Sequence, residues 1–322
     1  MNRREAIKHT ALATGALAMT PSLQAIENLT SMTIKNINFG VQLFTIPSMV
    51  EKDLKGTLQL LSDIGYKEIE FFGPYPFSSD VAKQGFDQMK QMLNVQQHAF
   101  YGYETKVVKT MLDDFGLSAP SVHVNIDSLR THMTALLDGL APLDTKYVVL
   151  PILMDGRASL DDYKKRVDEF NGFGEQMAKY NMKFVYHNHG YEHKEMNGQV
   201  PLQYLIDHTD QETVQFELDI FWMAAAGADP VEFLKANPGR FKMLHLKDAA
   251  SSYRFSKDGG TPDQWMAGFP KMADPGDGIF DIKLILEEAI KSGVDHFYLE
   301  RDLTPTPMDT LKNSFKNLSS LQ

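Results

Sequence analysis

The stretch FVYHNHGYEHK at residues 184–194 places three histidines and a glutamate just after an apolar run. Imidazole and carboxylate are the groups that bind divalent cations and move protons near neutral pH. Three later apolar runs also end in such groups: FELD at 216–219, LHLKD at 244–248 and YLERD at 298–302. Residues two apart share a face of a strand. His187 and His189 therefore point one way, as do His245 and Lys247, and as do Glu300 and Asp302. One residue from each run gives His187, Asp219, His245 and Glu300. Two imidazoles and two carboxylates at one point form a site for a single divalent ion, with Mn²⁺, Mg²⁺, Co²⁺ and Zn²⁺ all open. His189 is an alternative to His187 as the ligand from its run. A lone inward histidine is commonly a hydrogen-bonded core residue, and an Asp at a strand end commonly caps the next helix. The coincidence of four such endings is what favours a metal site.

Such convergence requires elements that bring four chain segments side by side. Apolar runs recur at 37–46, 66–73, 117–127, 146–154, 182–189, 214–222, 241–248 and 295–302. Helical spacing fills most of the gaps, at 53–65, 80–115, 128–140, 160–180, 201–208, 230–236 and 281–292. Eight strands alternating with helices predict a parallel sheet with right-handed crossovers. Their number and the chain length match a (β/α)8 TIM barrel, an α/β fold formed as one domain over residues 33–322. An open doubly wound sheet would favour a glycine-rich phosphate loop after the first strand, and FGVQLFTIPS has none. In a barrel of this kind the strand carboxyl ends form the active site.

Composition narrows the function classes. The 322 residues carry a formal charge of −10, which opposes a nucleic-acid partner. Cysteine is absent, so disulfides, thiolate catalysis and iron–sulfur clusters are excluded. No apolar segment is long enough for a membrane span. The start, MNRREAIKHTALATGALAMTPSLQA, has a basic end, a small-residue apolar run and Ala25 after a proline. It reads as an export signal over residues 1–25, of the twin-arginine type through Arg3 and Arg4, and implies a periplasmic or otherwise exported protein.

Together the motifs YHNHGYE, FELDIFWMAAAGADP, PGRFKMLHLKD, DPGDGIFD and YLERD resemble the xylose isomerase-like TIM-barrel family, in its sugar phosphate isomerase/epimerase branch. The resemblance spans about residues 37–318. It implies one divalent metal held by the last four strands, with His187 where many members carry Glu. It also implies a keto-sugar substrate, with the metal polarising the carbonyl and a carboxylate taking the proton beside it through an enediolate. Glu300 and Glu192 are the counterparts of the two carboxylates that work on opposite sugar faces in related epimerases. Lys247 could neutralise the developing oxyanion. His123, His189, Trp222 and Trp265 are candidate sugar contacts. The long connection 249–280 reads as a lid carrying Tyr253, Trp265 and Phe269, with a homo-oligomeric contact as its alternative use. The resulting expectation is an isomerase or epimerase of small carbohydrates. The same site could serve as a lyase or hydratase on 3-keto-glycosides. Binding sugar without catalysis is the alternative of another class.

Overall fold

Alternation along each apolar run sends one face into a barrel and the other against helices. The computed structural model describes residues 33–322. The export-signal expectation at residues 1–25 lies outside the described residues. The strands are β1 Phe39–Gln42, β2 Glu68–Phe72, β3 Ser121–His123, β4 Tyr147–Leu150, β5 Lys183–His187, β6 Val214–Asp219, β7 Phe241–Leu246, β8 Asp248–Ala249, β9 Met272–Ala273 and β10 His296–Leu299. Strands β1 to β7 follow one another around a closed parallel barrel, and β10 closes it between β7 and β1. All eight expected strands are present, each shorter than its apolar run. The ends of those runs, such as Asn188-His189 and Glu300-Arg301-Asp302, leave the sheet and build its mouth.

The helices form where local chemistry starts them and apolar spacing holds them. Leu160–Ala178 begins with a capping box in which Ser159 and Asp162 satisfy each other's backbone N–H groups. Its Tyr163, Val167, Phe170, Phe173 and Met177 are buried at intervals of three or four. The expected helical region 80–115 is three helices, Asp80–Asp87, Lys90–Leu93 and Thr105–Asp114. Asn94, in the left-handed conformation, stops the second. A last helix, Pro307–Ser319, was not foreseen from the spacing.

Inside the barrel, Val149, Val185, Met243 and Tyr298 make a small apolar layer of their own. Nearer the strand ends, the inward positions turn polar, with Glu70, His123, His187, Glu217 and His245 all buried. A register shift between β6 and β7 sets this layer. Phe216 pairs with Phe241, but Glu217 pairs with Met243 and Asp219 with His245. One extra residue, Lys242, on β7 thereby puts Asp219 opposite His245 instead of Leu244. Bulges re-aim side chains in this way beside active sites.

The connection after β7 is ordered. The ribbon β8–β9 and the helix Pro262–Gly268 lie within it. Asp248 accepts hydrogen bonds from the backbone N–H groups of Gly276, Gly278 and Phe280 at 3.0–3.1 Å, anchoring the DPGDG turn. A Cβ on Gly278 would lie 2.2 Å from Asp248 Oδ1, so only glycine fits there.

Candidate metal centre and active site

Glu217, at the heart of β6, organises three imidazoles. Its Oε2 accepts from His187 Nδ1 at 2.8 Å and from His123 Nε2 at 3.0 Å, and its Oε1 lies 3.1 Å from His245 Nε2. Glu70 on β2 adds a second carboxylate, 2.7 Å from His245 Nε2 and 3.1 Å from His123 Nε2. Gln42 donates to Glu70 at 2.9 Å, and Ser121 donates to its other oxygen. Burial would raise the Glu217 carboxyl, but the surrounding imidazoles hold it well below the usual range. His123 would be lowered by burial, yet Glu70 and Glu217 push it up to about 9. His245 is likewise held well above its ordinary value by Glu217, Glu300 and Glu70.

The second group stands at the mouth of the barrel. Glu300 accepts from His245 Nδ1 at 2.6 Å. Lys247 Nζ lies 2.7 Å from Glu300 Oε2, 2.9 Å from Asp219 Oδ2 and 3.0 Å from Asp302 Oδ2. The approach to Asp219 is close but too bent for a hydrogen bond, and Asp219 Oδ2 is left without one. Burial alone would strip Lys247 of its proton, but these carboxylates hold it well above its ordinary value. Glu300 is held well below the usual carboxylate range by Lys247 and His245, which outweigh its burial. Asp302 is pushed up to about 7, chiefly by burial, with Lys247 opposing and Glu300 adding to the rise.

These residues fit a divalent cation. His123, His187, Glu217 and His245 each offer a ligand atom within 4.8 Å of the others, and so do Asp219, His245 and Glu300. His187 Nε2 lies 3.7 Å from Asp219 Oδ2, while Nδ1 is engaged by Glu217. Burial keeps this imidazole below its ordinary pKa and therefore neutral. A carboxylate behind the ligand histidine is the usual support for a metal-binding imidazole. Asp219 Oδ2 and Glu217 Oε1 are both buried and lack a hydrogen bond, as oxygens kept for a cation would be. Five carboxylates here (Glu70, Glu217, Asp219, Glu300 and Asp302) face one ammonium. Without a cation, protons on His123 and His245 supply the two charges that a divalent ion would otherwise bring.

Above the floor opens a cleft of about 680 Å³. His123, His187, His189, Lys247, Glu300 and Asp302 line its polar end. Trp222 stacks on His189 with centroids 5.9 Å apart, and Lys247 Nζ lies 5.3 Å from the Trp222 ring centre. Trp265 and Phe269 of the long connection line the cleft, whereas Tyr253 stacks on Phe221 and does not.

Glu192 is not brought into the cleft. The turn Tyr191–His193 tucks it behind β5, where Tyr186 donates to it and the His189 backbone N–H lies 3.2 Å from both its oxygens. Tyr186 neighbours inward-facing His187 in the strand and so points outward, taking Glu192 with it. Burial raises the Glu192 carboxyl, but it faces no substrate space. Conversely, the sequence did not single out Glu70, and it placed Asp302 on the face of Glu300 without giving it a role. Glu68-Ile69-Glu70 did carry a signal, two carboxylates at a spacing of two inside an apolar strand.

The fold recurs in solved structures. A sugar phosphate isomerase/epimerase from Parabacteroides distasonis superposes with a TM-score of 0.69 at 23% identity, covering 88% of this chain and 93% of its own. The IolI protein with a bound zinc atom gives 0.63 at 15% identity, over 88% and 96%. The 3-keto-D-glucoside 4-epimerase YcjR from E. coli gives 0.58 at 16%, over 88% and 99%. No curated protein matches the chain in sequence. A family model does match residues 58–318, most of the barrel and the strand ends that carry His187, Asp219, His245 and Glu300, and by it the chain belongs to the xylose isomerase-like TIM barrel family.

Proposed function

We propose that this protein is a divalent-metal-dependent enzyme that removes the proton beside the carbonyl of a keto-sugar, leading to isomerisation or epimerisation. The observation that carries the reading is a pair of overlapping donor clusters, His123, His187, Glu217 and His245 beside Asp219, His245 and Glu300, with His187 Nε2 3.7 Å from Asp219 Oδ2, beneath a cleft whose floor also holds Lys247 and Asp302. Bound by those four residues, a cation such as Zn²⁺ or Mn²⁺ would act as a Lewis acid on the carbonyl. The zinc atom in the IolI protein and the 3-keto-glucoside named for YcjR support this reading.

Lys247 is the oxyanion partner, because its ammonium is buried and fixed by three carboxylates. Asp302 is the proton acceptor. It lines the cleft, and its proton affinity near 7 suits transfer at neutral pH. Glu300 stays a ligand, since a carboxyl held so far below its usual range is a weak base. His189 and Trp222 line the cleft as a stacked pair, a wall against which a sugar ring would pack. Trp265 and His123 complete the sugar's surroundings. A leaving group beta to the carbonyl would turn the same proton loss into elimination. The volume of the cleft, about 680 Å³, favours a substrate that carries one.

The test is proton exchange. Metal-loaded protein is mixed with keto-hexoses and 3-keto-glycosides in D₂O and followed by ¹H NMR. The signal of the proton beside the carbonyl is expected to fade with isomerisation, epimerisation or elimination. Asp302→Asn should slow this by about 10²–10⁴-fold with metal content unchanged. No exchange in any of these sugars by the metal-loaded protein would leave a sugar-binding protein instead.

A further inference from the structure

Above its polar floor the cleft changes character. Val81, Met89, Met92, Met154 and Met266 line it, and each is at least 37% exposed, with Val81 at 61% and Met154 at 59%. They come from two banks of the cleft, separate in the chain. One is the helix Asp80–Asp87 with the segment that follows it, where Phe86 also lines the cleft. The other combines Met154, beyond β4, with the helix Pro262–Gly268 that carries Met266 and Trp265. Exposed apolar side chains gathered around one concave site mark a place where something apolar binds.

Two alternatives fail on the residues present. A phosphate needs a free cation or a cluster of N–H donors. Among the described residues Lys247 is the only lysine or arginine lining the cleft, and it lies at the polar floor, where the substrate's carbonyl oxygen is assigned to it, which leaves no cation for a phosphate at the apolar end. A second sugar would bring a ring of hydroxyls that need partners once water leaves. Above the floor the polar side chains are few: Gln88, Asn125 and Asp127. An aromatic or other apolar group needs no such partners, and methionines adapt to rings of varied shape.

Resting on the sugar site proposed above, we propose that the two apolar banks form a subsite for an apolar, ring-bearing aglycone. The substrate class is then glycosides of aromatic or similarly apolar alcohols, rather than free sugars, oligosaccharides or sugar phosphates. The occupant is part of the same ligand because both ends belong to one continuous cleft of about 680 Å³, the size that encloses a ligand well beyond a single hexose.

Binding can be measured apart from catalysis. Phenyl and methyl β-D-glucopyranoside carry no carbonyl and are not expected to turn over, so each is titrated into metal-loaded protein by calorimetry or NMR, beside glucose 6-phosphate. The phenyl glucoside is expected to bind at least about tenfold more tightly than the methyl glucoside, since a well-buried ring removes a large apolar area from water. Glucose 6-phosphate should show no gain over glucose. Met154→Gln combined with Met266→Gln, both at exposed positions, should cut the phenyl advantage at least threefold. Methyl glucoside affinity and metal content should stay unchanged. Equal binding of the two glucosides, no measurable phenyl glucoside binding, tighter binding of the phosphate, or a phenyl advantage that survives both substitutions overturns the subsite. So does a dimer in sedimentation that the double variant dissociates, which would give the face to a second copy of the chain. A phenyl preference without deuterium exchange would sink the catalytic reading and keep the subsite. Exchange without the preference would do the reverse.

Discussion

At the scale of single residues, the floor of the cleft is a set of charges that must be balanced. Asp219 and His245 are fully buried, and they face Lys247 and Glu300 respectively. Asp219→Ala and His245→Ala should each lose most of the bound metal while the far-ultraviolet dichroism of the barrel persists. Metal content equal to the unaltered protein in both would contradict the ligand set. Cation uptake should also release protons. His123, with its pKa raised to about 9, and His245, held well above its ordinary value by Glu217, Glu300 and Glu70 against the effect of burial, are charged at neutral pH when no cation is bound. A divalent ion must displace protons from such groups. Affinity is therefore expected to increase as pH rises toward 9, where His123 gives up its proton without help. Calorimetry in two buffers of different ionisation heat reads the protons released at pH 7.5. A value near zero would show that these imidazoles were neutral.

At the scale of elements, the site depends on a bulge and a turn. Between β6 and β7 the register shift aligns Asp219 with His245. Below them, the layer of Val149, Val185, Met243 and Tyr298 seals the barrel, so the polar residues open toward the mouth. The DPGDG turn is held by three N–H groups on Asp248, immediately after Lys247. Gly278→Ala would force a methyl group to within 2.2 Å of Asp248 Oδ1 and 2.5 Å of the Ala249 carbonyl. Overpacking of this kind costs about 1–3 kcal/mol. A lower thermal midpoint, with a loss of metal affinity transmitted through Lys247, is the expected result. An unchanged midpoint would show that the turn has room to move.

At the scale of the whole molecule, the closed barrel gathers four distant chain segments at one mouth, and the long connection after β7 walls one side of it. The chain carries a formal charge of −10, and no helix among the described residues is long and apolar enough to cross a membrane. The first 25 residues carry the export proposal, with Arg3-Arg4 as its twin-arginine signature. Changing both arginines to lysine should stop export and leave the full-length chain in the cytoplasm, seen by fractionation and mass of the product. Normal export of that variant, cleaved at the same place, would remove the twin-arginine claim.

The sequence by itself determined the barrel and the ends of its strands. Apolar runs with period two, separated by capped helical segments, are local patterns, and local patterns are what a sequence displays. His187, Asp219, His245 and Glu300 were legible because each closes such a run. The tertiary structure alone decided which charges meet. Glu70 lies 175 positions from His245, and only ring closure brings them to 2.7 Å. Glu217, two residues before Asp219 on the same strand face, has three histidines around it, and that became visible only in the folded barrel. Glu192 shows the opposite failure: its distance along the chain from His187 is short, yet a single turn after Gly190 carries it to the outer face of β5. A one-residue bulge or turn leaves almost no mark on periodicity, but it rotates every side chain beyond it, and so it fixes which groups face the substrate.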